Sequence, residues 1–157
     1  MPFDSKDFLK LAEQLYGDQT YKHVKEAALR TSVSRAYYAI FLFMRELVRA
    51  KLSDTWLIDL FSKVSESGLI HSCVKEIIGR ADRYVEKLYG NLFRMRKKSD
   101  YNLNATIKFK DAEESIGTAK KIIDLSERLH DSIEAQKISD IVINYYDRLT
   151  KQKRRNS

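Results

Sequence analysis

Along this chain apolar side chains recur at three- and four-residue steps, the period of an amphipathic helix. Phe8, Leu11, Ala12 and Leu15 mark a first short, one-faced helix that Asp4 or Ser5 can cap and Gly17 can end. A second is predicted from about Thr20 to Leu52. Its apolar positions Ala27, Ala28, Val33, Ala36, Tyr37, Ile40, Phe41, Met44, Leu47 and Val48 form a stripe too broad for a surface helix, which makes it the central one. A Ser53-Asp54 cap leads into Trp56, Leu57, Leu60, Phe61 and Val64, and that segment closes at Gly68.

From Leu69 the pattern Ile70, Val74, Ile77, Ile78, Ala81, Val85, Leu88, Leu92, Met95 runs to about Lys98, roughly 30 residues or 45 Å if unbroken. Gly79 and Gly90 lie inside it; each costs up to about 1 kcal/mol relative to alanine and marks a kink or a close neighbour. Asp100 to Lys108 reads as a loop. A further helix is expected from Lys110 through Ile116, Ile123 and Leu129 to Ile133, and a last one from Ile138 to about Lys151.

Composition supports the same class. Of 157 residues the only proline is Pro2, and the five glycines are too few for a turn-rich β fold. The chain is long enough for one sizeable core and shows no repeat or linker. The expectation is a single all-α domain over residues 1–157, an up-and-down bundle of five to six helices with a basic tail at about 151–157. No apolar run approaches the length of a membrane span, so no membrane partner is expected.

The net charge is +7, and it is concentrated. Residues 75–110 carry ten Lys and Arg against four Asp and Glu, and residues 141–157 carry five against one. Such a balance permits nucleic-acid, phosphate or acidic-protein partners without choosing among them. The lone Cys73 excludes an internal disulfide and a cysteine-based zinc site and reads as a small core residue. His23, His71 and His130 have no second histidine or cysteine at i+3 or i+4, so neither metal nor cofactor is expected. The start MPFDSKDFLK lacks the layout of a secretion signal, and the expected compartment is the cytoplasm.

Two stretches carry chemistry. Arg30, Ser34, Tyr38 and Arg45 lie at i, i+4, i+8 and i+15 on a helix otherwise apolar nearly all round. Polar groups there need partners: Ser34 can bond back to the carbonyl of residue 30, and the tyrosines can fill the core with their hydroxyls at the rim. The second stretch is Arg94-Met-Arg-Lys-Lys-Ser-Asp-Tyr101. Arg94, Arg96, Lys97 and Lys98 suit the negative end of a helix dipole, but Asp100 opposes it, and Arg96 at i−4 is an ion-pair partner in the less favourable order. A group outside the helix is therefore expected to hold Asp100, with Arg35 or another group of the second helix as the candidate. The cluster either positions a phosphate or locks two helices together.

SRAYYAIF on a long helix, RKKSDY about 55 residues later and then KDAEESIGTAKKIIDL resemble the HEPN superfamily, in the subfamily marked by an SRAYYA helix and an R-x-x-[AS]-D-Y segment. The resemblance covers about residues 5–130. It implies a helical bundle, usually a homodimer whose paired motifs line a cleft. Many such proteins are metal-independent endoribonucleases of toxin–antitoxin or phage-defence systems, often beside a minimal nucleotidyltransferase acting as antitoxin. One departure stands out: the RNase pattern is arginine followed four to six residues later by histidine, and neither Arg94 nor Arg96 has one.

Metal-free RNA cleavage needs a base, an acid and a cation. Arg96 supplies the cation, while a tyrosine is a poor base at neutral pH and a carboxylate a weak one. The expected site is Arg96, Asp100 and Tyr101 in the catalytic role, with Ser34, Arg35, Tyr38, Arg94, Lys97 and Lys98 binding. Three readings follow: an RNA- or nucleotide-directed HEPN protein of a toxin–antitoxin or defence system, a non-catalytic module that partners a nucleotidyltransferase, and an RNA-binding bundle without chemistry. Tyr145 and Tyr146 either stack bases or belong to the core or a dimer surface.

Overall fold

Aspartates start several of the helices. Asp54 is extended (φ −87°, ψ 123°) and its carboxylate accepts the Trp56 N–H at 2.8 Å, opening α3 (Thr55–Ser65) as the sequence indicates. The computed structural model describes residues 4–156, and these form eight α-helices and no strand. Before α3 come α1 (Lys6–Gly17), a 3₁₀ turn (Gln19–Val24) and α2 (Lys25–Ala50); after it come α4 (Ile70–Ala81), α5 (Arg83–Tyr101), α6 (Phe109–Asp124), α7 (Ser126–Ser132) and α8 (Ala135–Asn156). The all-α reading holds, and the count exceeds the five or six helices expected because two of the predicted segments are broken.

The long segment from Leu69 divides at Asp82, at neither of its glycines. Asp82 leaves helical geometry (φ −151°, ψ 109°), and its carboxylate accepts the N–H groups of Tyr84 at 2.9 Å and Val85 at 3.1 Å, capping α5. The apolar period continues across the break, which hides it from a spacing argument. Gly79 marks a close approach: a Cβ there would lie 2.7 Å from the Glu86 carboxyl carbon. The predicted helix from Lys110 to Ile133 breaks at Leu125, and the one from Thr20 begins with the 3₁₀ turn, which Asp18 caps. At α1, Ser5 is helical with no cap bond, and Asp4 accepts the Lys6 N–H instead, at 2.9 Å. The predicted basic tail is helical: α8 carries Lys151, Lys153, Arg154 and Arg155 in its final turns, where the dipole favours cations. Ser157, like Pro2, lies outside the described residues.

The chain divides into two compact units whose boundaries fall within α2, α5 and α7. The first holds residues 4–43 and 87–126. Leu29, Val33, Ile107 and Ala112 form a buried cluster there with Tyr16 and Met95 packed on it, and α1 packs on α6. The buried Ser32 hydroxyl donates to the Ala12 carbonyl at 2.7 Å, tying α2 to α1, and the buried phenols of Tyr37 and Tyr89 share a hydrogen bond of 3.2 Å. The second unit holds residues 44–86 and 127–156, with α3 and α4 packed on α8 around buried residues that include Phe61, Val64, Val74, Ile78 and Val142.

Asp82 also binds Arg128 Nη2 at 2.6 Å. Burial works to raise its pKa, but the Val85 and Tyr84 amides and the Arg128 guanidinium outweigh it, and the pKa is lowered. Asp82→Ala is expected to cost about 1–2 kcal/mol, the usual worth of a cap, seen as a lower urea midpoint. A lowered folded-state pKa gives stability that is present above the unfolded value of about 3.9 and is lost as pH falls through the folded one. Asp82→Asn, which keeps the cap, should therefore lose mainly this acid-side dependence.

Candidate functional site

The polar residues of α2 solve one local problem, the exposed end of α5. A helix terminus leaves its last carbonyls without partners, and Arg30 reaches them. Its Nη1 donates to the carbonyls of Ser99 at 2.8 Å and Asn102 at 3.2 Å, its Nη2 donates to the Ala105 carbonyl, and Glu26 pairs with it at 2.9 Å. One turn on, the buried Ser34 hydroxyl donates to Asp100 Oδ2 at 3.2 Å rather than to the carbonyl of residue 30. One further turn on, the Tyr38 phenol accepts from Arg96 Nη2 at 2.7 Å. The i, i+4, i+8 ladder thus meets the RKKSDY end of α5 rung by rung. Arg45 does not share in it and pairs with its neighbour Glu46 at 3.1 Å.

Arg96 is the centre of the site. Its side chain is only 12% exposed, its Nε lies 2.8 Å from Asp100 Oδ2, and its Nη2 donates to the phenols of Tyr38 at 2.7 Å and Tyr101 at 2.9 Å. The Nε–Asp100 approach is an electrostatic contact without the alignment of a hydrogen bond. The guanidinium also sits 4.8 Å from the Tyr101 ring centroid and 5.3 Å from that of Tyr38. Burial opposes its charge, yet the Tyr38 and Tyr101 oxygens and the Asp100 carboxylate prevail and hold its pKa above the ordinary arginine value. The helix-internal pair and an outside donor together hold Asp100, and of the expected donors, Arg35 or another group of its helix, the one that does so is Ser34. Each phenol accepts from Arg96, and neither O–H proton is taken by another described group. Tyr101 is 66% exposed, so this array of donors opens to solvent.

The remaining candidates spread out. Arg94 donates to Asn91 Oδ1 at 2.5 Å, Lys98 lies 3.7 Å from Asp111 Oδ2, and the exposed Lys97 sits 5.6 Å from the Phe93 ring centroid. Arg35 is half-buried, with its guanidinium carbon 5.0 Å from the Phe8 centroid and 5.5 Å from that of Tyr38. Tyr145 is a core residue whose hydroxyl donates to Glu76 at 3.1 Å, and Lys63 sits over the Tyr146 ring. Cys73 is fully buried, and burial pushes its thiol up to about 12, with Glu76 adding to the shift, so it is no nucleophile at neutral pH. Among the described residues no cluster of His, Cys, Asp and Glu is arranged to hold a metal ion, and no helix is long and apolar enough to cross a membrane.

Two contributors escaped the sequence reading. Ser99 is buried; its hydroxyl donates to the Arg96 carbonyl at 3.0 Å and lies 3.4 Å from Asp100 Oδ1. A serine three residues after the arginine, able to bond back along the helix, was the available signal. Phe8, noted only as an apolar position of α1, forms a wall beside Arg35. Among protein-family models, that of the HEPN domain matches residues 4–129. No curated protein and no solved structure matches the chain.

Proposed function

Because the chain belongs to the HEPN family, we propose that it works in the nucleotide and RNA chemistry common to that family, and that Arg96, Tyr38 and Tyr101 bind the backbone phosphates of RNA. The observation that carries this reading is the pair of uncommitted phenol protons flanking a guanidinium already locked by Asp100. A phosphate oxygen arriving there meets donors fixed in advance, so little ordering remains to be done on binding. Asp100 serves as the orienting group, since its oxygens face Arg96, Ser34 and Ser99. The site holds a cation and proton donors and no free base, which favours holding RNA over cutting it. The setting we propose is a cytoplasmic toxin–antitoxin or defence system, with the chain as one domain that forms a homodimer and pairs two such sites.

The test is fluorescence anisotropy of a labelled single-stranded oligoribonucleotide between about 50 and 200 mM salt. The expected result is an affinity that falls with salt, the logarithmic slope near −2 to −3.5 for about three to five phosphate contacts. Absence of binding at low salt overturns the reading, and RNA cleavage that persists in a folded Arg96→Ala, Asp100→Ala double variant overturns the site. A second reading has its own support. Leu103 is 83% exposed two residues beyond the exposed Tyr101, an apolar rim suited to a protein partner such as a minimal nucleotidyltransferase. A stoichiometric complex lost in Leu103→Asp, with RNA binding absent, would select it.

A further inference from the structure

Arginine side chains in the first unit are accounted for by partners, with one exception. Arg30 is spent on carbonyls and Glu26, Arg94 on Asn91, and Arg96 on Asp100 and two phenols. Arg35 has no ion pair and no hydrogen bond among the described residues, and its Nε is shut off from solvent without an acceptor. What holds it is aromatic: Phe8 of α1 at 5.0 Å and Tyr38 of α2 at 5.5 Å from the guanidinium carbon. A guanidinium that rests on rings uses its face and keeps its in-plane N–H donors for something else.

That position adjoins the Arg96 site, because both guanidinium groups approach one ring: Arg96 lies 5.3 Å from the Tyr38 centroid. Between them the two arginines have a single carboxylate, Asp100, and it pairs with Arg96. The cluster therefore carries one uncompensated positive charge, and that charge resides on Arg35. We propose that Arg35 is the second phosphate-binding cation of the site, gripping the non-bridging oxygens of a phosphate with its planar fork while Arg96 presents the Tyr38 and Tyr101 hydroxyls to the same group. The proposal rests on the RNA-phosphate reading above and deepens it. Arg96, neutralised by Asp100, orders the donors; Arg35 supplies the net charge that attracts the anion. The ligand chemistry is a phosphate ester, whether an internal diester of RNA or the terminal phosphate of a nucleotide.

The experiment uses the full chain and two probes, a 5′-hydroxyl octauridylate, which has only internal diesters, and uridine 5′-monophosphate. Arg35→Gln should weaken binding of the octauridylate about 10- to 30-fold and reduce the steepness of its salt dependence by about 0.7, one phosphate contact on a single strand. Arg35→Lys, which keeps charge but loses the fork, should recover less than half of that loss. Lys10→Gln removes the same charge from an exposed α1 residue that pairs with Asp7, and should change either probe's affinity less than threefold. A loss confined to the octauridylate assigns the diester as ligand, and a loss confined to the monophosphate assigns the nucleotide; either supports Arg35. Thermal midpoints check folding, and Arg35→Lys carries the test if Arg35→Gln is unfolded. Wild-type affinity in both Arg35 variants, with Arg96→Ala still defective, overturns the role of Arg35 and leaves the RNA reading standing. A wild-type protein that binds neither probe at low salt overturns both.

Discussion

Arg96→Ala is expected to weaken oligoribonucleotide binding by about 100-fold, the equivalent of about 2.7 kcal/mol. The magnitude follows from what one side chain does here. It contributes the cation, and through Nη2 it fixes the hydroxyls of Tyr38 and Tyr101 at 2.7 and 2.9 Å. Charge-assisted contacts of this kind contribute about 1.5–3 kcal/mol each, and its removal also leaves Asp100 a half-buried carboxylate without its cation. Arg96→Lys should recover little, because an ammonium cannot face Asp100 through one edge and two phenols through another. Anisotropy titrations of variants whose thermal unfolding remains cooperative are the measurement, and a loss below threefold would remove Arg96 from the site. Tyr101→Phe should fall between the variants and wild type, since it removes one donor and leaves the cation.

The largest stability effect is expected at Arg30. Arg30→Ala should cost about 2–4 kcal/mol, the sum of several hydrogen bonds to a charged donor and of carbonyls left without partners. The guanidinium joins α2 to Ser99 in the last turn of α5 and to Asn102 and Ala105 in the loop that follows. A cation at that helix end also meets the negative pole of the dipole. The urea midpoint should fall at nearly constant slope. Amide exchange of Ala105, whose N–H bonds to Asn102, should accelerate with it. Arg30→Lys can satisfy one carbonyl at most and should keep under half of the stability. A cost under about 1 kcal/mol would mean that residues 102–108 are held by their own packing, Ile107 foremost, which is buried in the core cluster. Because Asp100 and Tyr101 sit just before this loop, Arg30→Ala should also weaken RNA binding, though by less than Arg96→Ala.

Most helices were legible because burial imposes a period on the chain. Of the stripe predicted from Ala27 to Val48, all but the exposed Ala27 and the half-buried Leu47 are buried, as its breadth indicates, and the Asp54 cap of α3 stands where expected. The breaks were not legible. At Asp82 and Leu125 the apolar period continues on both sides, so the interruption is expressed only in backbone geometry and, at Asp82, in two amide bonds to a carboxylate that could equally have faced solvent. In the site, the oddity of Asp100 at a helix C-terminus was a sound signal that something outside the helix holds it. The expected donor, Arg35 or another group of α2, is Ser34. Ser34 and Arg35 differ by about 100° around α2, and only the rotation of that helix against α5 determines which of them faces the carboxylate.

Read alone, the sequence determines an all-helical chain, the polar ladder Arg30, Ser34, Tyr38 and the opposing RKKSDY segment, because helical periodicity and the dipole are local properties that neighbours in sequence express. Tertiary structure decides what those groups do to one another. It spends Arg30 on the end of α5, locks Arg96 between Asp100 and two phenols, and leaves Arg35 between Phe8 and Tyr38 with its charge unmatched. The physical reason is that hydrogen bonds and ion pairs act over about 3–4 Å, and which side chains come that close across a gap of some 60 residues depends on how two helices are rotated and set against each other.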